Sequence, residues 1–197
     1  EVVSHDTRHA IVNYAADVGT DTLLIERSGG RDTLLGNDTG WIEEHATCDV
    51  IEVTDLHHNV VEHIGVVTDE GPFDPSKVGL ANALGMAVDG TVTFYFPMPA
   101  DVPESRRNTI EDYLSELADL CEVPVETKII EPGTDDAVER AARESDVLIV
   151  SGVQRGLTDR LFGRASHVTA GSKHGTLVVY GASQPGRVRG AIERQLF

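Results

Sequence analysis

Apolar positions along this chain switch repeatedly between a period near two and a period near three and a half. "HIGVVTD" (63–69) is a short apolar run of strand type, and "DPSKVGLANALGMAVDG" (74–90) then reads as a helix. Asp74 stands at its N-cap, Pro75 at its first helical position and Gly90 at its end. "TVTFYFPMP" (91–99) is β-branched and aromatic and is stopped by proline, which predicts a second strand. In "PESRRNTIEDYLSELADLC" (103–121) Ile110, Leu114, Leu117 and Cys121 recur at intervals of three and four, one apolar helical face. "VPVETKIIEPG" (123–133) predicts a third strand, and "TDDAVERAARESD" (134–146) a helix with acids in its first turn. "VLIVSG" (147–152) is a buried strand, "LFGRASHVTAGSK" (161–173) a helix, and "GTLVVYG" (175–181) the last strand.

Strands alternating with helices imply βαβ units, a parallel sheet and helices on both of its faces. The fold class is therefore α/β, a doubly wound five-stranded parallel sheet with right-handed crossovers. The first fifty-odd residues add a partial second copy. "HAIVNYAADVGTDTLLIE" (9–26) reads as helix then strand, and "LLGNDTGWIEEHATCDVIEV" (34–53) as loop, helix and strand. Gly36 matches Gly163, Ile51 matches Val178 and Val53 matches Tyr180, each 127 residues apart, and Asp21 matches Asp146 at 125. This copy lacks counterparts of the first two strands, and only "EVVSHD" stands where its third would end. The expected organisation is 1–56 for the C-terminal half of a first domain, 57–62 for a linker, 63–183 for a complete domain and 184–197 for a tail helix. The chain opens without methionine, so the expectation is a piece of a longer protein whose first domain has lost its N-terminal half.

Charge narrows the function classes. The formal net charge is −17, and only Lys77, Lys128 and Lys173 are lysines, so 13 of 16 basic residues are arginine. Such an acid excess keeps a protein soluble by self-repulsion and points to a salt-adapted cytoplasm. It also argues against nucleic acid as a partner, because phosphate neutralisation by cations supplies that affinity. No run approaches the roughly 18 apolar residues of a membrane span, and no signal segment opens the sequence. Cys48 and Cys121, far apart and without CxxC spacing, read as two thiols in a reducing compartment.

Against that background, "SGVQRGLTDRLFGRAS" (151–166) stands out with three arginines and one acid directly after a core strand. In an open parallel sheet, ligands bind beyond the carboxyl ends of the strands where the strand order reverses. A glycine-containing loop feeding a helix offers backbone N–H groups to an anion, and arginines add charge. Surface pairing of these arginines with nearby acids is the competing account. "TDEGPFD" (68–74) is the other loop at that point, and an acid there can accept hydrogen bonds from a ligand amine or ribose hydroxyl.

These residues, taken together, resemble the universal stress protein family over essentially all of Glu1 to Ser183. "VVTD" (66–69) is similar to the strand whose acid, Asp69 here, contacts adenine in that family. "LLGNDTGWIEEHATCDVIEV" is similar to the family's "LLGS…HAPCPVLVV" ending, with Gly36, His45, Ala46, Cys48 and Val50 in place. The resemblance implies sheet order 3-2-1-4-5, a homodimer or tandem pairing in which "DVIEV" pairs with "TLVVY", and in one subclass ATP bound by G-x-x-G-x9-G-[ST]. The nucleotide positions it implies are Thr68, Asp69, Ser151, Gly152, Gly156, Gly163 and Arg164. The phosphate motif itself is broken. Counting back from Gly163, its first two glycines fall on Val150 and Val153, or on Ser151 and Gln154 if one residue is deleted, and its final Ser/Thr is Arg164. Cβ atoms thus stand where backbone should approach phosphate, with Gly152 and Gly156 as partial substitutes. In the first copy Glu26 would oppose a phosphate.

Other motifs carry less. "GSKHG" (171–175) lacks P-loop spacing, and His167 has no nucleophile constellation beside it. His57, His58, Glu62 and His63 read as a solvated linker rather than a metal site. Val188, Ile192 and Leu196 give the tail an apolar stripe for packing. The expectation is a non-enzymatic regulatory or sensor domain on the cytoplasmic side, without catalytic or metal residues. The resemblance extends to cytoplasmic tails of amino-acid permeases, which makes a transporter membrane domain the expected partner in the parent protein. An ATP- or AMP-binding protein with slow hydrolysis and a purely structural dimerisation domain are the alternatives.

Overall fold

The computed structural model describes residues 6–26, 38–54, 60–68, 75–131, 134–151 and 175–181. The chain divides into two compact units, Glu1–Thr54 with Val179–Phe197, and Asp55–Val178.

The second unit contains β3 (His63–Val67), α3 (Pro75–Val88), β4 (Thr91–Pro97), α4 (Glu104–Asp119), β5 (Val125–Ile130), α5 (Thr134–Glu144), β6 (Val147–Ser151) and most of β7 (Gly175–Tyr180). Its strands lie in the order β5-β4-β3-β6-β7. The β3–β4, β3–β6 and β4–β5 pairs are all parallel. β3 and β4 are buried along almost their whole length, as strands covered on both faces must be. On one face α5 packs Ala137, Val138, Ala141 and Ala142 against Val67, Tyr95, Ile130 and Leu148. On the other, α3 lies against β3, β4 and β6, and α4 against β5, with Tyr113 edge-on to Phe96. The apolar face read from the sequence of α4 is the one it buries, through Ile110, Leu114 and Leu117.

Two glycines set how closely these layers approach. At Gly65 a Cβ would lie 2.3 Å from the Ser145 hydroxyl oxygen, so only glycine lets the end of α5 rest on β3. At Gly90 it would meet the Glu62 carbonyl at 2.9 Å. The end of α3 differs from the sequence expectation. The residue with left-handed φ is Asp89 (55°), and Gly90 is required instead by this close approach.

The first unit holds α1 (Thr7–Val18), β1 (Thr22–Glu26), α2 (Asp38–His45) and β2 (Asp49–Thr54). α1 ends on Gly19 at φ 67°, whose amide reaches the carbonyls of Ala15 and Ala16. β1 and β2 pair in parallel from Thr22↔Asp49 to Glu26↔Val53. Val12 and Ala15 of α1 meet Ile42 and Ala46 of α2 and Cys48 and Val50 around β2. Trp41 closes this cluster, stacked on His45 at 3.9 Å between ring centroids. Cys48 is buried and Cys121 half-buried, and neither forms a disulfide among the described residues. No helix among the described residues is long and apolar enough to cross a membrane. The expected helix at 161–173 and the tail at 184–197 lie outside the described residues.

Candidate functional site

The strand order reverses between β3 and β6, and the carboxyl ends of these two strands define the candidate site. Their register runs from Ile64↔Val147 to Val66↔Ile149. Continued by two residues, it brings Thr68 level with Ser151. Of the seven residues expected to line the site, these are the two among the described residues. Asp69, Gly152, Gly156, Gly163 and Arg164 lie outside them.

Thr68 faces the site with little to offer a ligand. It is 3 % exposed, its amide donates to the Tyr95 carbonyl at 2.9 Å, and its hydroxyl donates to the same oxygen at 3.1 Å. Both bonds fasten the end of β3 to β4. Ser151 closes β6 half-buried. Val150, at the first glycine position of the expected phosphate motif, packs against the α5-side apolar cluster.

Lys77 was not singled out from the sequence. It sits in the first turn of α3, yet it is 4 % exposed, and its ammonium donates to the Val67 carbonyl at 2.9 Å. A cation in the first turn opposes the helix dipole, so its position needs a compensating contact. The carbonyl at the end of β3 provides one. The readable signal was there: a lysine in a chain that otherwise prefers arginine, three positions after the N-cap residue. Chemically, the site's described part is a buried ammonium below a strand end that immediately precedes Asp69 in the sequence.

A second polar group lies on the α5 side. The Tyr95 hydroxyl donates to Glu144 at 3.3 Å, Lys128 to the same carboxylate at 3.0 Å, and Arg140 to its other oxygen at 2.8 Å. The Arg140 guanidinium first, then the Lys128 ammonium, holds the Glu144 carboxyl below its ordinary range. The hydrogen bond to Glu144 raises Lys128 in return, and burial pushes the Tyr95 phenol up. Each acid here is matched by cations, so the group is a structural tie rather than a proton donor poised for chemistry. No group of three or more potential metal ligands occurs among the described residues, and His57 and His58 lie outside them.

Solved structures share this α/β fold, a mostly parallel sheet with helices. A universal stress protein from Archaeoglobus fulgidus DSM 4304 is similar over 90% of this chain and 68% of its own, with a TM-score of 0.55 and 15% identity. The cytoplasmic domain of a prokaryotic cation chloride cotransporter is similar over 92% of this chain and 74% of its own, with a TM-score of 0.63 and 13% identity. This is a universal-stress-protein-like fold. No family profile and no curated protein sequence matches the chain. At such identities the likeness is one of fold, and the chemistry of the candidate site has to be argued from this chain's own residues.

Proposed function

We propose that this chain is a non-enzymatic regulatory or sensor domain of a larger protein, such as an amino-acid transporter, with weak or lost nucleotide binding. The observation that carries the reading is Val150. Where the ungapped phosphate motif needs a glycine, this chain has a half-buried valine side chain packed against the core cluster. Thr68 supports it, since its hydroxyl is already bonded to Tyr95. The likeness to a transporter's cytoplasmic domain supports the setting, on the cytoplasmic face of a membrane protein. Tandem pairing of the two copies, or a homodimer, belongs to the same proposal and rests on the sequence repeat.

An ATP- or AMP-binding protein is the second reading, favoured by the buried Lys77 ammonium at the strand end. Calorimetric titration with ATP separates the two. No heat at millimolar ATP is the expected result. Micromolar binding, weakened about tenfold to a hundredfold by Asp69→Ala and by Arg164→Ala as charge-assisted contacts would be, overturns the first reading.

A further inference from the structure

In the second unit, the loops at the amino ends of the strands form a surface opposite the candidate site. Thr91 donates to the Glu62 carbonyl at 2.8 Å and Val92 to the Pro124 carbonyl at 3.0 Å, which sets the starts of β3, β4 and β5 side by side. The Asp146 carboxylate accepts the amides of Glu62 and His63, each at 2.9 Å, and its own amide donates to the His63 carbonyl at 2.8 Å. The chain entering β3 is therefore clamped. Asn82 of α3 ties the same end together: its side-chain oxygen accepts the Glu122 amide at 2.8 Å, and its nitrogen donates to the Met86 sulfur at 3.8 Å.

Every large apolar side chain that is exposed among the described residues of this unit belongs to this end: Val60 (79 %), Met86 (56 %), Val88 (39 %) and Leu120 (56 %). Single scattered exposures are ordinary, but four gathered on one set of loops mark a contact surface. Met86 and Leu120 flank the Asn82–Glu122 bond, while Val88 and the Glu62 carbonyl each lie 2.9 Å from where a Cβ on Gly90 would stand. Exposed carboxylates stand among them, Asp89 and Asp119 at the ends of α3 and α4 and Glu122 just after. Neither helix has a basic residue in its last turn. A carboxylate at the negative end of a helix dipole is unfavourable, and Asp89 adds a left-handed φ of 55° where glycine is the usual residue. Among the described residues no cation pairs with these three acids, whereas Glu131, Glu139 and Glu144 each have one.

We propose that this amino-end surface docks a basic amphipathic segment of a protein partner. The segment lays its apolar side chains on Val60, Met86, Val88 and Leu120 and its lysines or arginines against Asp89, Asp119 and Glu122. Charge complementarity selects this occupant. A second copy brings the same carboxylates face to face, and an anionic bilayer surface is repelled by them. The source of the segment rests on the proposed function, because cytoplasmic segments beside membrane spans carry an excess of Lys and Arg. The surface lies at the opposite ends of the strands from Thr68 and Ser151, so the two sites do not overlap.

The test is fluorescence anisotropy on the whole chain with a labelled peptide of about 18 residues, built of leucine and lysine at amphipathic helical spacing. Binding should weaken about tenfold in Leu120→Ser. It should also weaken about tenfold at low salt in the triple variant Asp89→Asn, Asp119→Asn, Glu122→Gln, and that loss should shrink in molar KCl. A second triple variant on the outer face of α4, Glu111→Gln, Asp112→Asn, Glu116→Gln, removes the same charge and should change binding by less than about twofold. Equal weakening by the two triples overturns the proposal, since the peptide then answers only to the net charge of −17. Binding that Leu120→Ser leaves unchanged overturns it as well. Sedimentation of the chain alone, and flotation with phosphatidylcholine–phosphatidylserine vesicles, address the other occupants. Self-association or vesicle binding that Leu120→Ser abolishes means that the proposed occupant is wrong. No nucleotide is present in any of these measurements, so their failure is distinct from that of the ATP titration.

Discussion

β1 and β6 carry similar five-residue runs, "TLLIE" and "VLIVS", yet one alternates between exposed and half-buried while the other is buried at its first three residues. The difference is not in the residues. β6 has β3 and β7 on its two sides and helices on both faces, whereas β1 has β2 on one side. An apolar strand run is a capacity for burial, and its neighbours decide how much of that capacity is used. The same holds for the aspartates in front of the strands. Asp146 is a three-bond clamp and Asp21 an exposed side chain, because among the described residues only Asp146 has a further strand to hold.

The largest effect should come from testing this inequality directly. Ile149→Ala removes a wholly buried side chain and should cost about 2–5 kcal/mol in denaturant unfolding. Leu24→Ala, at a position 65 % exposed, should change stability by less than about 0.5 kcal/mol. Equal losses at the two positions would mean that β1 is as enclosed as β6.

A smaller effect is expected where helix and strand touch. Gly65→Ala drives a Cβ to 2.3 Å from the Ser145 hydroxyl and 3.3 Å from the Tyr95 ring. Overpacking of this kind costs roughly 1–3 kcal/mol. Adding Ser145→Gly should restore much of the loss, because it removes the closer of the two clashes. Without rescue by the double variant, Gly65 matters for some reason other than the approach of α5. Thr20 stands before Asp21 as Ser145 stands before Asp146, so Thr20→Gly should show no such coupling.

Most of this architecture was legible in the sequence because it follows from periodicity. The 3.6-residue face of α4 and the β-branched run of β4 are local signals, and burial of Ile110, Leu114, Val92 and Phe94 follows from them. The sequence spacing that aligns Asp21 with Asp146 says nothing of the unequal burial of β1 and β6, since that depends on which strands stand beside them. The site was read in part. Thr68 and Ser151 stand at adjacent strand ends, but a hydroxyl's partner is a matter of three-dimensional register, and the Thr68 hydroxyl is bonded to Tyr95. Lys77 was missed because a lysine in a first helical turn ordinarily reads as solvated surface. Val150 illustrates the reverse case: its sequence position in a phosphate motif and its packing against α5 lead to the same conclusion.

The smallest effect concerns charge, and it too divides the two regions. Glu144, tied to Lys128 and Arg140 at the end of α5, is matched in position by Gly19 at the end of α1, which has no side chain to make such a triad. Because Glu144 titrates below its ordinary 4.5 when folded, its contribution is present above that pH and is lost as pH falls through the depressed value. Lys128, raised above 10.5, contributes fully below that value and loses its contribution as pH rises through the elevated one. The triad therefore stabilises across the whole neutral range, and Glu144→Gln should cost about 0.2–1 kcal/mol at low salt, since all three side chains are partly solvated. Salt then separates this local attraction from the global repulsion of a chain with net charge −17. The Debye length shrinks from roughly 30 Å at 0.01 M to 3 Å at 1 M. Molar KCl should raise the thermal midpoint of the whole chain while reducing the difference between wild type and Glu144→Gln. A midpoint that stays flat or falls with KCl would remove the salt-adapted reading of the acidic surface, whatever the triad does.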